Sequence, residues 1–435
     1  MKDKSDRREF LLGAMATGTL LMIPPLGQGM VQDGNTHFTF KNWDHTISCR
    51  PKNYFQPCAE AEVVQIVKDT YKRGGVVRTF GAGHSWSSLV PSDDSLINLD
   101  RLDKLVAIDD GKMRVTVQAG IRIQDLVKLL RKHGLGMKNL GSIKKQSIAG
   151  AVSTGTHGTG RAIGNISTQI VGLQLVNGFG EVLTISEDQN QELLAAARLS
   201  LGSLGIITEV TIQCVKDYDM LYGSSHRPFE YVIEHLDDYL NRNERLRLYW
   251  FSAFRERVRV MTMNPPSVAV TRGDAGAKAH FIRAIEKLKR YDKALTVTMP
   301  PRHQESEYAV PIENAARAVR ALRQMIIDSH YVDLILVEVR FVEQDDILLS
   351  PSNGRRVCYV GGYIFGKLNA GDFFKKYEEL MKSFGGRPHW GKHLTLSQQE
   401  ARDMYPTTFD RFNRIRKDLD PNQIFANDFI RGLFG

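Results

Sequence analysis

Two glycine-rich stretches limit what this chain of 435 residues can fold into. The first reads Arg78-Thr-Phe-Gly81-Ala82-Gly83-His84-Ser85-Trp86. The second reads Ala149-Gly150-Ala-Val-Ser153-Thr154-Gly155-Thr156-His157-Gly158-Thr-Gly160. Glycine lets a backbone approach a ligand closely and leaves its amides free to donate, while the interleaved Ser and Thr add hydroxyls. Such nests suit a pyrophosphate. Neither stretch is a Walker loop, because no Gly-Lys-Ser/Thr occurs in them, and neither is the Rossmann fingerprint.

The segments around these loops alternate between strand and helix patterns. Residues 59–73 predict a helix, with Val63, Val67 and Tyr71 at spacing four and Gly74-Gly75 closing it. Strands are predicted at 76–80, 95–99, 113–119 and 205–213, and helices at 123–133 and 190–198. A hairpin is predicted from 169–177 and 181–186 across Gly178-Phe-Gly180. Residues 141–164, rich in small side chains, read as one long loop. The character changes near Asp217. Beyond it lie a strand-like run with Arg255, Arg257 and Arg259 on one face, an amphipathic helix at 312–328 and an apolar strand at 334–342. The organisation expected is a first domain over 31–215, a second over 216–386 and a short aromatic-rich segment over 387–435.

Composition narrows the class. A chain that is 42% hydrophobic and 25% charged is neither disordered, collagen-like nor a multi-span membrane protein. Four cysteines cannot staple a chain of this length. Residues 242–302 hold 14 Lys/Arg against 5 Asp/Glu, which accounts for the whole net charge of +9. A nucleic-acid binder more often spreads its excess, so no nucleic-acid partner is expected. A local basic stretch suits a membrane surface or an anionic partner, or is simply a solvated face.

Residues 1–30 read as an address. Arg7-Arg8 precedes Phe10-Leu11-Leu12 and an apolar run to Ile23, followed by Pro24-Pro25. The run is shorter than the ~20 residues a bilayer span needs. The pattern is that of a bacterial twin-arginine signal, which engages the twin-arginine export machinery and sends folded proteins to the periplasm or the outer face of the membrane. With no clean cleavage site, the segment either is processed near Gly27-Gln28-Gly29 or stays as a membrane anchor. In an oxidising space Cys49 and Cys58 are either a disulfide or two buried thiols.

Glu338 and Arg340 stand two apart on the apolar strand, so both side chains point to one face. Burying two charges costs several kcal/mol unless they pair or bind something. No cluster has metal-ligand spacing, and Gly202-Ser203-Leu-Gly205 is not a nucleophile elbow.

Taken in order, several motifs carry a resemblance that runs from about residue 42 to the end. Gly81-Ala-Gly-His84-Ser85, Gly141-Ser142-Ile143, the run Gln146-Ser147 to Gly158 and Leu204-Gly205-Ile206-Ile207-Thr208 resemble the FAD domain of the vanillyl-alcohol oxidase superfamily. Glu307-Tyr308-Ala309-Val310-Pro311, Glu338-Val339-Arg340, Pro388-His389-Trp390-Gly391-Lys392 and Leu419-Asp420-Pro421-Asn422 resemble its sugar-lactone and alditol oxidases.

The resemblance implies an α+β, two-domain fold: a PCMH-type FAD-binding domain, a cap domain built on an antiparallel sheet, and a C-terminal segment that returns to the first domain. It implies FAD bonded covalently through His84, with Gly81, Ala82, Gly83, His84 and Ser85, Gly150, and Ser153, Thr154, Gly155, Thr156 and His157 around the pyrophosphate. Ser142 and Ser147 lie along the flavin, and Ile206 and Ile207 reach it through their backbone. Gly141 is the position where a small residue admits oxygen. Glu338, Arg340 and Ser142 are catalytic toward a substrate hydroxyl, Lys392 stabilises charge on the reduced flavin, and His389 lines the pocket. The implied reaction is oxidation of a CH–OH group of an aldono-1,4-lactone such as D-arabinono-1,4-lactone, or of an alditol, with oxygen as acceptor. The alternatives are a dehydrogenase that uses a quinone or cytochrome and a non-catalytic exported flavin-binding protein.

Overall fold

The computed structural model describes residues 38–254, 256–267, 282–298, 301–329, 331, 334–366 and 370–435. Residues 1–30, expected to be a signal segment, and Arg255 lie outside these residues.

The fold is α+β. In the first region, Asn53–Phe55, Ser95–Asn98 and Val77–Phe80 form a parallel three-stranded sheet with Ser95–Asn98 in the middle. Beside it runs an antiparallel sheet in the order Val182–Ser186, Ile170–Val176, Ile206–Gln213, Arg114–Gln118, Leu105–Asp109. Helix Glu60–Lys72 buries Val63, Ile66, Val67 and Thr70, a single stripe at spacings of three and four. Gly74, at φ +65°, then takes the chain out of the helix. Helix Ile123–Lys132 buries Ile123, Leu126, Val127 and Leu130 in the same way, with Gly134 at φ +66° just beyond its end.

One expectation about this region fails. Residues 141–164 are not an uninterrupted loop, because Ile148–Ser153 is a helix whose first turn is capped by Ser147, Oγ accepting from the Gly150 amide at 3.3 Å. It is too short and too rich in Gly and Ala to show a period, and it is held by burial of Ile148, Ala149, Ala151 and Val152. The four cysteines are unpaired, and Cys49 and Cys58 are half-buried thiols.

The second region is an eight-stranded antiparallel sheet. Its strands run in the order Ile282–Arg290, Asp219–Pro228, Arg257–Asn264, Arg245–Phe251, Ile335–Val342, Val357–Phe365, His303–Pro311, Arg387–Pro388. Strand alternation gives the sheet two unlike faces. Leu248, Trp250, Val260, Val337, Val339 and Val360 point to one face, where helices Phe229–Glu234, Ala315–Ile327 and Gly371–Ser383 cover them. The opposite face carries Arg247, Tyr249, Arg259, Glu305, Glu307, Glu338, Arg340 and Tyr363, and it closes over the first region.

The chain ends in helices Gln398–Met404, Phe409–Leu419 and Asp428–Phe434. Their Tyr405, Phe409, Phe412 and Phe434 share a core with Val63, Val77 and Ile97 of the first region. Among the described residues no helix is long and apolar enough to cross a membrane.

Candidate active site

Antiparallel register sets polar side chains in rows across the inner face of the large sheet. Glu338 stands opposite Tyr249 on one side and Gly361 on the other. Tyr249 stands opposite Arg259, and Gly361 opposite Glu307. Arg259, Tyr249, Glu338 and Glu307 therefore lie in one row, with a gap where Gly361 has no side chain. The next row holds Arg247 opposite Arg340, and the row on the other side holds Tyr363 opposite Glu305.

These charges are buried, and they neutralise one another through specific contacts. Glu338, 1% exposed, accepts through Oε1 from Ser142 Oγ at 3.2 Å and from Tyr249 at 3.1 Å. Arg247 Nε lies 3.2 Å and Arg340 Nε 3.5 Å from the same oxygen. Tyr363 donates to Oε2. Arg340 spans the site, donating to Glu307 Oε1 at 2.6 Å, the His157 carbonyl at 3.1 Å and Ser142 Oγ at 3.2 Å. Burial alone pushes the Glu338 carboxyl up, but Arg340 and Arg247 outweigh it and hold it below the ordinary value. Glu307 is held well below in the same way, against burial, by Arg340 and His157. Tyr249 is pushed up by burial and by Glu338, and Tyr363 by burial and by Glu305 and Glu338, so both stay protonated and donate.

His157, Glu307 and His389 bring ligand-type atoms within 4.8 Å of one another. Arg340 already supplies the cation for Glu307, and the His389 Nδ1 accepts from the Gly391 amide at 3.0 Å. Burial pushes both imidazoles down, so they stand neutral beside the Arg340–Glu307 ion pair.

This face forms one wall of a cavity of about 560 Å³. Across from it are Trp43, His84, Trp86, Ser142, Gln146 and Thr156. A second cavity of about 110 Å³ runs between Gly81–Ser85 and the 147–154 turn, and it meets the first at His84, Ser85, Gln146 and Thr154. His84 stands at that junction, stacked on Trp43 at 5.5 Å between ring centroids. Burial, then Lys392, Arg122 and His303, push its pKa down to about 4, so the imidazole is neutral near pH 7. Lys392 lies 4.5 Å over the Trp86 ring and pairs with Glu305.

Known proteins resemble this chain in sequence and in fold. The chain matches the FAD-binding-domain family over residues 51–186 and the D-arabinono-1,4-lactone oxidase family over residues 266–433. It is 32% identical to the L-gulonolactone oxidase of Scyliorhinus torazame, over 93% of this chain and 100% of that one. The chain belongs to the FAD-dependent sugar-1,4-lactone oxidase and dehydrogenase family. Another member, the L-gulono-1,4-lactone dehydrogenase of Mycobacterium tuberculosis, is 31% identical over 91% of this chain and 99% of its own. The D-arabinono-1,4-lactone oxidase of Candida glabrata is 27% identical over 90% and 95%. The fold is also that of cholesterol oxidase from B. sterolicum, with a TM-score of 0.76 at 16% identity over 96% of this chain and 100% of that one.

The family's cofactor fits the paired cavities. A Cβ on Gly81 would lie 2.2 Å from Ser147 Oγ, so only glycine lets the two turns approach this closely. Between them, backbone amides and the Ser85, Ser147, Ser153 and Thr154 hydroxyls line a slot that suits a pyrophosphate. Gly81, Ala82, Gly83, His84, Ser85, Ser147, Gly150, Ser153, Thr154 and Ile207 line this slot. Ser142, Thr156, His157, Glu338, Arg340, His389 and Lys392 line the larger cavity. Three residues expected at the cofactor line neither. Ile206 is buried in its strand, Gly155 is backed by Leu199, and Gly141 sits behind Ser142 with its missing Cβ 2.8 Å from Thr156 Cγ2.

Sequence reasoning gave no role to Glu307, Arg247, Tyr249, Tyr363 or Glu305. The signal was present for the acids, since Glu305 and Glu307 repeat the period-two pattern of Glu338 and Arg340. For the tyrosines there was none, because an aromatic residue in a strand reads as core.

Proposed function

We propose that this protein oxidises a CH–OH group of an aldono-1,4-lactone, D-arabinono- or L-gulono-1,4-lactone being the leading candidates, and passes the electrons to oxygen. The observation that carries this reading is the Glu338 carboxylate: buried, ionised, held by three hydroxyl donors and two guanidinium groups, and facing the cavity that meets the glycine-lined slot.

When bound, FAD supplies the acceptor for the hydride that leaves the carbinol carbon. The chain's own residues bind and orient the substrate. Glu338 accepts the hydrogen bond of the reacting hydroxyl and receives its proton. Ser142, which touches both Glu338 and Arg340, is the donor a substrate hydroxyl displaces. Arg340 stays fixed by Glu307 and the His157 carbonyl, so it holds Glu338 in place as substrate exchanges. Lys392, over Trp86 and paired with Glu305, sets a cation at the cavity wall, where negative charge is stabilised.

His84 attaches the flavin covalently in this reading. A neutral ring whose nitrogens make no hydrogen bond among the described residues is a competent nucleophile, and His84 would meet the flavin from the junction of the two cavities that it lines. Acid precipitation tests it: a yellow pellet is expected, and a yellow supernatant would remove the linkage. Gly141 supports oxygen as acceptor through the resemblance alone, which makes a small residue here oxygen-permissive; it acts behind Ser142 and Thr156 of the cavity wall. Peroxide formed in air in step with substrate oxidation is the expected result. Turnover with a quinone or cytochrome c but no peroxide would make the protein a dehydrogenase, as its Mycobacterium tuberculosis relative is named. Arg7-Arg8 and the apolar run after them support export by the twin-arginine route.

A further inference from the structure

Five cations and three carboxylates line the larger cavity. All three carboxylates are taken: Glu305 by Lys392, Glu307 by Arg340, and Glu338 by Arg340 and Arg247. The other cations, Arg259, Lys289 and Lys293, have no acidic partner among the described residues. Arg259 is held by hydroxyls instead, donating to Ser224 Oγ at 2.9 Å and to the Tyr222 hydroxyl at 3.3 Å. Lys289 Nζ sits 3.5 Å over the ring of the same Tyr222. Two cations thus converge on one neutral aromatic residue. Their crowding shows in Lys289, whose ammonium is pushed down by burial, by Lys287 and by Arg259. Half-buried cations that are kept close together without a counter-ion cost free energy, and an anion placed between them recovers it.

Position says which anion. Arg259 lies in the same row as Glu338, two strands away through Tyr249. Two strand spacings are about 10 Å, a distance that the length of a sugar with a terminal charged group covers with help from the arginine side chain. We infer that Arg259, Lys289 and Lys293 bind an anionic group, a carboxylate or a phosphate ester, at the end of the substrate remote from the oxidised carbon. The preferred substrate is then a negatively charged sugar lactone. This rests on the lactone reading above and moves its preferred substrate from the neutral lactones named there to a charged member of the class.

The test compares three probes on the flavin-loaded protein: a neutral aldono-1,4-lactone, the matching aldaro-1,4-lactone whose terminal carbon is a carboxylate, and the terminal phosphate ester of the first. An anionic probe is expected to exceed the neutral one at least tenfold in kcat/KM, with a KM that rises with ionic strength. Which anionic probe wins assigns the group. Lys289→Gln with Lys293→Gln, and separately Arg259→Gln, are expected to cut that preference at least fivefold while flavin content stays normal. Calorimetry with inorganic phosphate reads the same site without turnover: binding to the parent and its loss in the variants support the anion site. Turnover of the neutral lactone without preference for either anion, or a preference unchanged in the variants, overturns the inference and leaves the lactone reading intact. Failure of every lactone overturns that reading, and phosphate that does not bind the parent then removes the anion site as well.

Discussion

Glu338 and Arg340 were legible because strand parity is arithmetic: residues two apart share a face whatever the fold. What parity cannot supply is the partner. Arg340 makes its shortest contact with Glu307, 33 positions away, and Glu338 is held by Arg247 from a third strand. Glu338→Gln keeps the shape and the donors' partner but removes the charge. It is expected to retain flavin and to lose at least ~100-fold in kcat, read by steady-state turnover; near-parent activity would remove Glu338 from the reaction. His84 gives a pH prediction. Its unfolded imidazole protonates near 6.5 and its folded one only near 4, so the stability it contributes is present above about 6.5 and is lost as pH falls through about 4. Covalent flavin incorporation should then stay flat between about pH 7 and pH 5, where an unshifted histidine would titrate. Gly141→Ala places a methyl group 2.8 Å from Thr156 Cγ2 and should slow reoxidation by oxygen several-fold while leaving reduction by substrate intact, measured by following the two half-reactions separately.

At the scale of elements, the long periodic segments of the first region were readable within a residue or two, because a buried stripe leaves a period. The short buried helix Ile148–Ser153 left none. Arg78 shows a second kind of illegibility. Its place beside the glycine turn says nothing of its partners, yet it is 3% exposed and donates to the carbonyls of Leu89, Leu201, Gly202 and Phe425 at 2.5–2.8 Å. It ties the strand Val77–Phe80 to the C-terminal segment. Arg78→Leu strands those acceptors and should cost at least ~3 kcal/mol, seen as a lowered unfolding temperature in the flavin-loaded protein. A change within about half a kcal/mol would mean that the tie is dispensable.

At the scale of the molecule, the site exists only because three distant parts of the chain meet. The glycine turns come from the first region, the polar sheet face from the second, and His389 and Lys392 from the start of the last. Composition and motif order gave the class of fold. The polar rows, however, depend on the register of an eight-stranded sheet, which no local pattern encodes. In the proposed reaction this assembled face delivers a lactone's CH–OH group to FAD. Anaerobic mixing of the flavin-loaded protein with charged and neutral aldono-1,4-lactones tests that claim most directly. Bleaching of the visible flavin band in the parent, and its absence in Glu338→Gln at equal flavin content, is the predicted result. A parent protein whose flavin stays oxidised with every lactone offered would contradict it.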